Sequence, residues 1–167
     1  MKFELDYDFM TASRIPFDGD DLRLGVSLGL ISPTTAIALA RDIVGRGTTD
    51  PSVVGAAELK PDDIAGVRVA LRAVDPEDAD LYPPISVRRW VFLELKAAYE
   101  VRDRLNDPLG VVEQIYADFD YPSSVAAFVR YMPPPRDAPT GEEALLGRWA
   151  QFLADEATVL ADDKPQV

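Results

Sequence analysis

The stretch SVRRWVFLELKAAYEVRDRL, residues 86–105, decides the fold class. Its apolar side chains recur at intervals of three and four residues, which places them on one face of an α-helix. We therefore predict one long helix over residues 86–105. Its buried face comprises Val87, Trp90, Val91, Leu95, Ala98 and Leu105. The side chains expected to face water are Arg88, Arg89, Lys96, Arg102 and Arg104.

Helix start signals recur on both sides of this segment. Ser32, Asp50 and Asp107 each precede a proline, which combines a side-chain cap with a residue suited to the first helical position. The further predicted starts are Asp21, residues 61–63, residues 122–124 and the capping box of residues 140–143. Three consecutive prolines, residues 133–135, end the helix predicted from residue 122, because proline lacks an N–H group.

Seven to eight helices joined by short links predict an all-α or nearly all-α fold, one domain over residues 1–167. The first ten residues alternate apolar and polar side chains, which indicates a short strand or an extended arm within residues 1–17. Residues 75–84, DPEDADLYPP, predict an acidic, proline-rich connector between two helical halves. Residues 162–167 predict a frayed tail.

The composition excludes several kinds of catalysis. The chain contains neither cysteine nor histidine, so thiolate nucleophiles, zinc–thiolate sites and Ser–His–Asp catalysis are excluded. A formal net charge of −12 repels nucleic acid and anionic lipid and attracts basic proteins. The N-terminus lacks a signal-peptide pattern, and no apolar run reaches the length of a membrane span. We therefore predict a cytoplasmic protein that is not an enzyme, and its charge suits either simple solubility or the attraction of a basic partner.

Carboxylate and magnesium chemistry remain open by composition alone. Three Asp-x-Asp pairs carry the oxygen ligands that hard cations prefer: Asp6 with Asp8, Asp18 with Asp20, and Asp118 with Asp120. None is followed by EF-hand spacing, and helical residues two apart do not share a face. The turn GRGT, residues 45–48, follows a predicted helix and favours a helix end over a phosphate site. We predict no catalytic residue, no metal and no cofactor.

The candidate partner-binding residues are acidic or aromatic. An acidic loop steers a basic partner during encounter, and tyrosines are frequent interface anchors. We expect Tyr99 and Tyr116 in the core, whereas Tyr121 and Tyr131 flank a predicted helix and lie either at the core edge or on the surface. The candidate residues are Asp75, Glu77, Asp78, Asp80, Tyr82, Tyr121 and Tyr131.

Four segments carry a family resemblance: DPL at 107–109, IYADFDYP at 115–122, FVRYMP at 128–133 and GVSLGLIS at 25–32. The chain resembles a family of small uncharacterised bacterial domains associated with polymorphic-toxin and contact-dependent-inhibition neighbourhoods, most closely over residues 107–133. The resemblance implies an immunity protein that binds and neutralises a cognate toxin domain, and it carries over no catalytic residue. A small carboxylate- or magnesium-dependent enzyme and a helical adaptor domain are the alternatives.

Overall fold

The computed structural model describes residues 2–73 and 82–163. These residues are mainly helical and contain no strand beyond one isolated bridge, which confirms the predicted fold class. The described helices are α1 (Tyr7–Ala12), α2 (Gly19–Leu28), α3 (Pro33–Gly45), α4 (Pro51–Ala57), α5 (Ile64–Leu71), α6 (Pro84–Glu100), α7 (Pro108–Asp118) and α8 (Glu142–Asp162), with 3₁₀ turns at Arg102–Arg104 and Ala126–Phe128.

The backbone contacts divide the chain into two compact units. We call Glu4–Trp90 with Leu160–Val167 the N-terminal unit, and Met1–Phe3 with Val91–Val159 the C-terminal unit. The first unit buries side chains such as Leu22, Ile37 and Trp90 completely or almost so. In the second, the indole of Trp149 stacks on Phe128 at 6.5 Å between ring centroids. Each unit therefore has an apolar core of its own.

The predicted cap-plus-proline starts are confirmed. The side chains of Ser32, Asp50 and Asp107 accept hydrogen bonds from backbone N–H groups in the first turns of α3, α4 and α7, at 2.9–3.1 Å. Helix α2 begins before the predicted Asp21, because Asp18 is its cap. The Asp18 carboxylate accepts from the N–H of Asp21, and the Asp21 carboxylate accepts from the N–H of Asp18, so the two satisfy each other's donors.

The N-terminal arm contains helix α1 over Tyr7–Ala12, so the strand expected from the alternation of the first ten residues is wrong beyond one residue. The carboxylate of Asp6 accepts a hydrogen bond from the N–H of Phe9 at 2.8 Å and starts α1. Only Leu5 pairs in an extended conformation, through a parallel bridge to Ile31. The cap therefore outweighs the period-two pattern, and α1 buries Met10.

Two predicted helices are shorter than expected. Helix α6 ends at Glu100 and is followed by a 3₁₀ turn, and residues 122–132 contain only the turn Ala126–Phe128. Val125, Phe128 and Val129 are nevertheless buried, as their spacing predicts. Side chains three and four residues apart are therefore buried together here by successive tight turns, although no continuous helix forms.

Candidate functional site

Three tyrosines of the C-terminal unit lie together at the end of α7. Tyr121 is 57% exposed and Tyr131 is 59% exposed, whereas Tyr116 is buried. The ring of Tyr121 meets that of Tyr116 edge-on at 5.2 Å, and the ring of Tyr131 lies at 6.3 Å from it. We call Tyr116, Tyr121 and Tyr131 the tyrosine cluster. It presents two aromatic side chains to solvent on a fixed support.

The end of α7 holds Tyr121 in an uncommon backbone conformation. Asp120 and Tyr121 have φ angles of 57° and 58°, in the left-handed region that a side chain with Cβ disfavours. A hydrogen bond of 2.8 Å from the N–H of Tyr121 to the carbonyl of Tyr116 stabilises this turn. Three further non-glycine residues of the described chain share this conformation, which is common where a helix or turn ends. The turn therefore sets where the ring of Tyr121 lies.

Arg130 fixes the backbone beside Tyr131. Its guanidinium donates two hydrogen bonds to Glu113, at 2.7 and 2.8 Å, and two to Asp107, at 3.0 and 3.1 Å. The N–H of Gly110 and the charge of Arg130 together lower the pKa of Asp107. The hydrogen bond from Arg130 likewise lowers the pKa of Glu113. Both carboxylates are therefore ionised at neutral pH, and the segment carrying Tyr131 is tied to α7.

The surroundings of the tyrosine cluster are negative. Partial desolvation raises the pKa of Tyr131, and its neighbours Tyr116, Tyr121 and Glu113 raise it further because they disfavour a second negative charge there. Asp118 and Asp120, at the end of α7, are both exposed. Exposed aromatic faces beside carboxylates suit a cation.

A second candidate region is a cleft of about 790 Å³ in the N-terminal unit. Its charged lining alternates in sign, with arginines set among aspartates. The remaining lining consists of apolar side chains such as Phe17, Ile43 and Ile85, together with Thr48 and two glycines. The charged lining residues are Asp18, Asp20, Arg23, Arg46, Asp50, Arg89 and Asp163.

Arg89 lies buried at this cleft, so the prediction that it faces water is wrong. Its guanidinium donates to Asp21 at 2.7 Å and to Asp18 and Asp163 at 3.2 Å each. Burial, followed by the charge of Asp18, raises the pKa of Asp21 to about 7, although Arg89 acts in the opposite direction. The buried face of α2 therefore carries a carboxyl group, and α6 supplies the cation that compensates it.

Arg23 connects three helices at the same cleft. It donates to Asp20 at 2.7 Å, to Asp50 at 2.5 Å and to the carbonyl of Leu71 at 2.9 Å. Burial opposes ionisation of Asp50, yet the hydrogen bonds from Arg23 and the N–H of Ser52 lower its pKa. These groups are engaged in holding the cap of α4 and the last residue of α5. We interpret the charged lining as structural for that reason.

The Asp-x-Asp pairs and the GRGT turn have local structural roles. Asp6 and Asp18 are helix caps, and Asp118 accepts a weak hydrogen bond from Gln114. Within residues 2–73 and 82–163, no three acidic side chains are arranged to hold a metal ion. Helix α3 ends at Gly45, and Gly47 takes the left-handed conformation with φ 96°, as expected for a helix end.

Sequence reasoning missed a buried carboxyl group in the C-terminal unit. Glu94 is fully buried in α6, and its Oε2 accepts a hydrogen bond from the N–H of Phe3 at 2.9 Å. Its Oε1 has no hydrogen-bond partner among the described residues, and burial raises its pKa to about 7. A signal was present, because Glu94 follows Trp90 by four residues and Val91 by three, on the predicted apolar face.

The structure brings together two of the seven candidate partner-binding residues, Tyr121 and Tyr131. Tyr82 belongs to the N-terminal unit, where it is half-buried and its hydroxyl lies 2.9 Å from that of Ser27. The acidic candidates Asp75, Glu77, Asp78 and Asp80 lie outside the described residues, as do residues 164–167 of the predicted tail.

These observations define a helical protein with an aromatic surface in one unit and a charge-lined cleft in the other. The chain belongs to the family described as "Uncharacterized protein conserved in bacteria" (DUF2247), whose model matches residues 7–157. That match confirms the resemblance to an uncharacterised family of bacterial domains. No curated protein and no solved structure matches the chain. None of the described helices combines the length and apolar character needed to cross a lipid bilayer.

Proposed function

We propose that this protein acts by binding: it is an immunity-type protein that occupies and neutralises a basic toxin domain. The observation that carries the proposal is the tyrosine cluster, in which two exposed tyrosines rest on a buried third. A cytoplasmic location is part of the same proposal, since an immunity protein must bind its toxin in the compartment where the toxin acts.

Tyrosines fixed in this way are well suited to bind a protein. Alanine scanning of interfaces finds the binding energy concentrated in a few aromatic and arginine anchors. A tyrosine has few rotatable bonds, and Tyr121 and Tyr131 are already held against Tyr116. Little conformational entropy is therefore lost when a partner covers them.

The charge of the chain supports a basic partner. With a net charge of −12, the protein attracts positively charged surfaces over distances of about one Debye length, roughly 8 Å at physiological salt. Such steering raises the association rate more than the final affinity. Many toxin domains act on nucleic acid through basic clefts, and an acidic protein that covers such a cleft blocks its substrate.

The test pairs the protein with the product of the adjacent gene. We expect co-expression to relieve growth inhibition by that product, and the purified complex to associate more slowly as salt rises. The double variant Tyr121→Ala/Tyr131→Ala should bind at least about tenfold more weakly, because each anchor contributes on the order of 1–2 kcal/mol. Val69→Ala is the matched control, since Val69 is 78% exposed in the N-terminal unit.

Two outcomes would contradict the proposal in different ways. If the adjacent product is neither bound nor inhibited, the immunity function is wrong. If it is bound equally well by wild type and by the double tyrosine variant, the function stands and the tyrosine cluster is not the interface. Circular dichroism of both variants establishes that each remains folded.

A further inference from the structure

We infer that the tyrosine cluster binds the guanidinium group of an arginine side chain presented by the partner protein. This inference rests on the proposed function and names the chemical group that the surface recognises. It follows from the exposure of two aromatic rings, from the carboxylates around them and from the way the chain restrains its own nearby arginine.

The exposed rings offer the faces that a guanidinium needs. A cation is attracted to the electron-rich face of an aromatic ring when it lies within about 6 Å of the ring centre. Tyr121 and Tyr131 both pack against Tyr116, at 5.2 and 6.3 Å, while more than half of each residue stays exposed. Both rings are therefore held on the same support, and each leaves part of its surface open to a planar cation.

The electrostatic environment of Tyr131 favours binding of a cation over binding of a neutral group. Glu113 is ionised and close enough to Tyr131 to disfavour its ionisation. Asp118 is the last residue of α7, Asp120 belongs to the left-handed turn with Tyr121, and both are exposed. An incoming guanidinium would thus find ring faces for stacking and a negative charge beside Tyr131.

Two arginines of the C-terminal unit show which groups bind a guanidinium in this protein. The guanidinium of Arg102 lies 4.0 Å from the ring centre of Tyr99, which is the same type of contact. Arg130 is the sequence neighbour of Tyr131, yet its four hydrogen bonds go to Asp107 and Glu113. Those bonds hold its guanidinium on the carboxylates, and Tyr131 remains 59% exposed.

Arginine fits this surface better than lysine. The guanidinium is planar, stacks on aromatic faces and is more weakly hydrated than an ammonium group. Lysine retains the charge but loses the stacking, and citrulline retains the planar shape but loses the charge. A series of these three side chains therefore separates recognition of the guanidinium from general attraction to an acidic protein.

The experiment is a titration of the full chain, with assigned tyrosine ring resonances, by blocked pentapeptides Gly-Gly-X-Gly-Gly. X is arginine, lysine or citrulline. We expect the arginine peptide to shift the Tyr121 and Tyr131 ring resonances, lysine to bind several-fold more weakly and citrulline to leave them unchanged. Tyr121→Leu/Tyr131→Leu should lose about fivefold or more in affinity for arginine, as expected for about 1 kcal/mol of cation–π attraction. Tyr121→Phe/Tyr131→Phe should retain binding, because the ring faces remain.

The inference is overturned if the arginine and lysine peptides give equal shifts, if the shifts spread over the acidic surface, or if the leucine variant binds as well as wild type. Failure of the proposed function has a separate signature: the arginine peptide then binds at the tyrosines, while the adjacent gene product is not neutralised. A toxin that binds wild type normally while the peptides leave the tyrosines unchanged rejects the inference alone.

Discussion

Two arginines of this protein make similar contacts at a helix start in opposite environments, although Arg89 also binds Asp163. Each is paired with the N-cap aspartate of a helix and with a second carboxylate from that helix: Arg89 with Asp18 and Asp21 of α2, and Arg130 with Asp107 and Glu113 of α7. The Arg89 side chain is 2% exposed, whereas that of Arg130 is 43% exposed. The two sites differ mainly in their access to water.

That difference determines what each arginine contributes to stability. At Arg130, water and salt ions replace the guanidinium when it is removed, so an exposed pair of this kind contributes little. At Arg89, removal leaves the fully buried Asp21 without its cation. The carboxyl group must then either stay ionised without compensation or take up a proton, and it loses a hydrogen bond in both cases. The same pattern of contacts therefore predicts unequal energies.

The largest effect should come from Arg89→Met. This substitution keeps an unbranched side chain of similar length and removes the charge, so we expect a loss of about 3–5 kcal/mol in the free energy of unfolding. Equilibrium urea denaturation at neutral pH measures it. The double variant Asp21→Asn/Arg89→Met should recover part of the loss, because it removes the carboxylate that the first change leaves unpaired. A double variant no more stable than Arg89→Met would show that packing dominates over charge.

A second buried carboxyl group, that of Glu94, accepts its hydrogen bond from a backbone N–H group and extends the comparison. Glu94 has an ordinary pKa of 4.5 and a pKa of about 7 in the folded protein. Its contribution to stability is fully present below about pH 4.5. This contribution falls by about 1.4 kcal/mol per pH unit as the pH rises from 4.5 toward 7. The reason is that Glu94 ionises at a lower pH in the unfolded chain than in the folded protein.

The variant Glu94→Gln tests this pH dependence. Glutamine cannot ionise, and its carbonyl can still accept the hydrogen bond from Phe3. We expect Glu94→Gln to match wild type near pH 4.5 and to exceed its stability by up to about 3 kcal/mol at pH 8. Denaturation curves of both proteins across this range provide the measurement. A stability difference that stays constant with pH would exclude the raised pKa.

The smallest effect should come from Arg130→Met, the matched counterpart of Arg89→Met. We expect a loss of about 1 kcal/mol or less, because both carboxylates of the site regain water. The loss should shrink further in 0.5 M salt, whereas the effect of Arg89→Met should change little. Equal losses for the two variants, measured under the same conditions, would mean that burial does not distinguish the sites.

The helix starts could be predicted from the sequence because their interactions are local. The caps at Ser32, Asp50 and Asp107 satisfy backbone donors two or three residues away. The apolar face of α6 followed in the same way from spacing, since Trp90, Val91 and Leu95 are all buried. Local hydrogen bonds and periodicity need no information about distant parts of the chain.

The candidate site was predictable only in part. Tyr121 and Tyr131 could be named from residue type, but their exposure depended on the left-handed turn at Asp120 and on the support from Tyr116. The helix expected over residues 122–132 is reduced to a 3₁₀ turn, which changes where Tyr131 lies. Tight turns, and not a continuous helix, determine the positions of these side chains.

The helical class and most helix starts could be predicted from local sequence patterns, and the acidic charge and the lack of thiol and imidazole groups follow directly from composition. The burial of Arg89, which was expected to face water, and the exposure of Arg130 follow only from the packing of the helices. The reason is physical: caps and periodicity act over a few residues, whereas burial depends on what another helix places opposite a side chain. Phe92 and Leu93 lie on the side of α6 that was expected to face water, and both are buried because protein covers that side of the helix there.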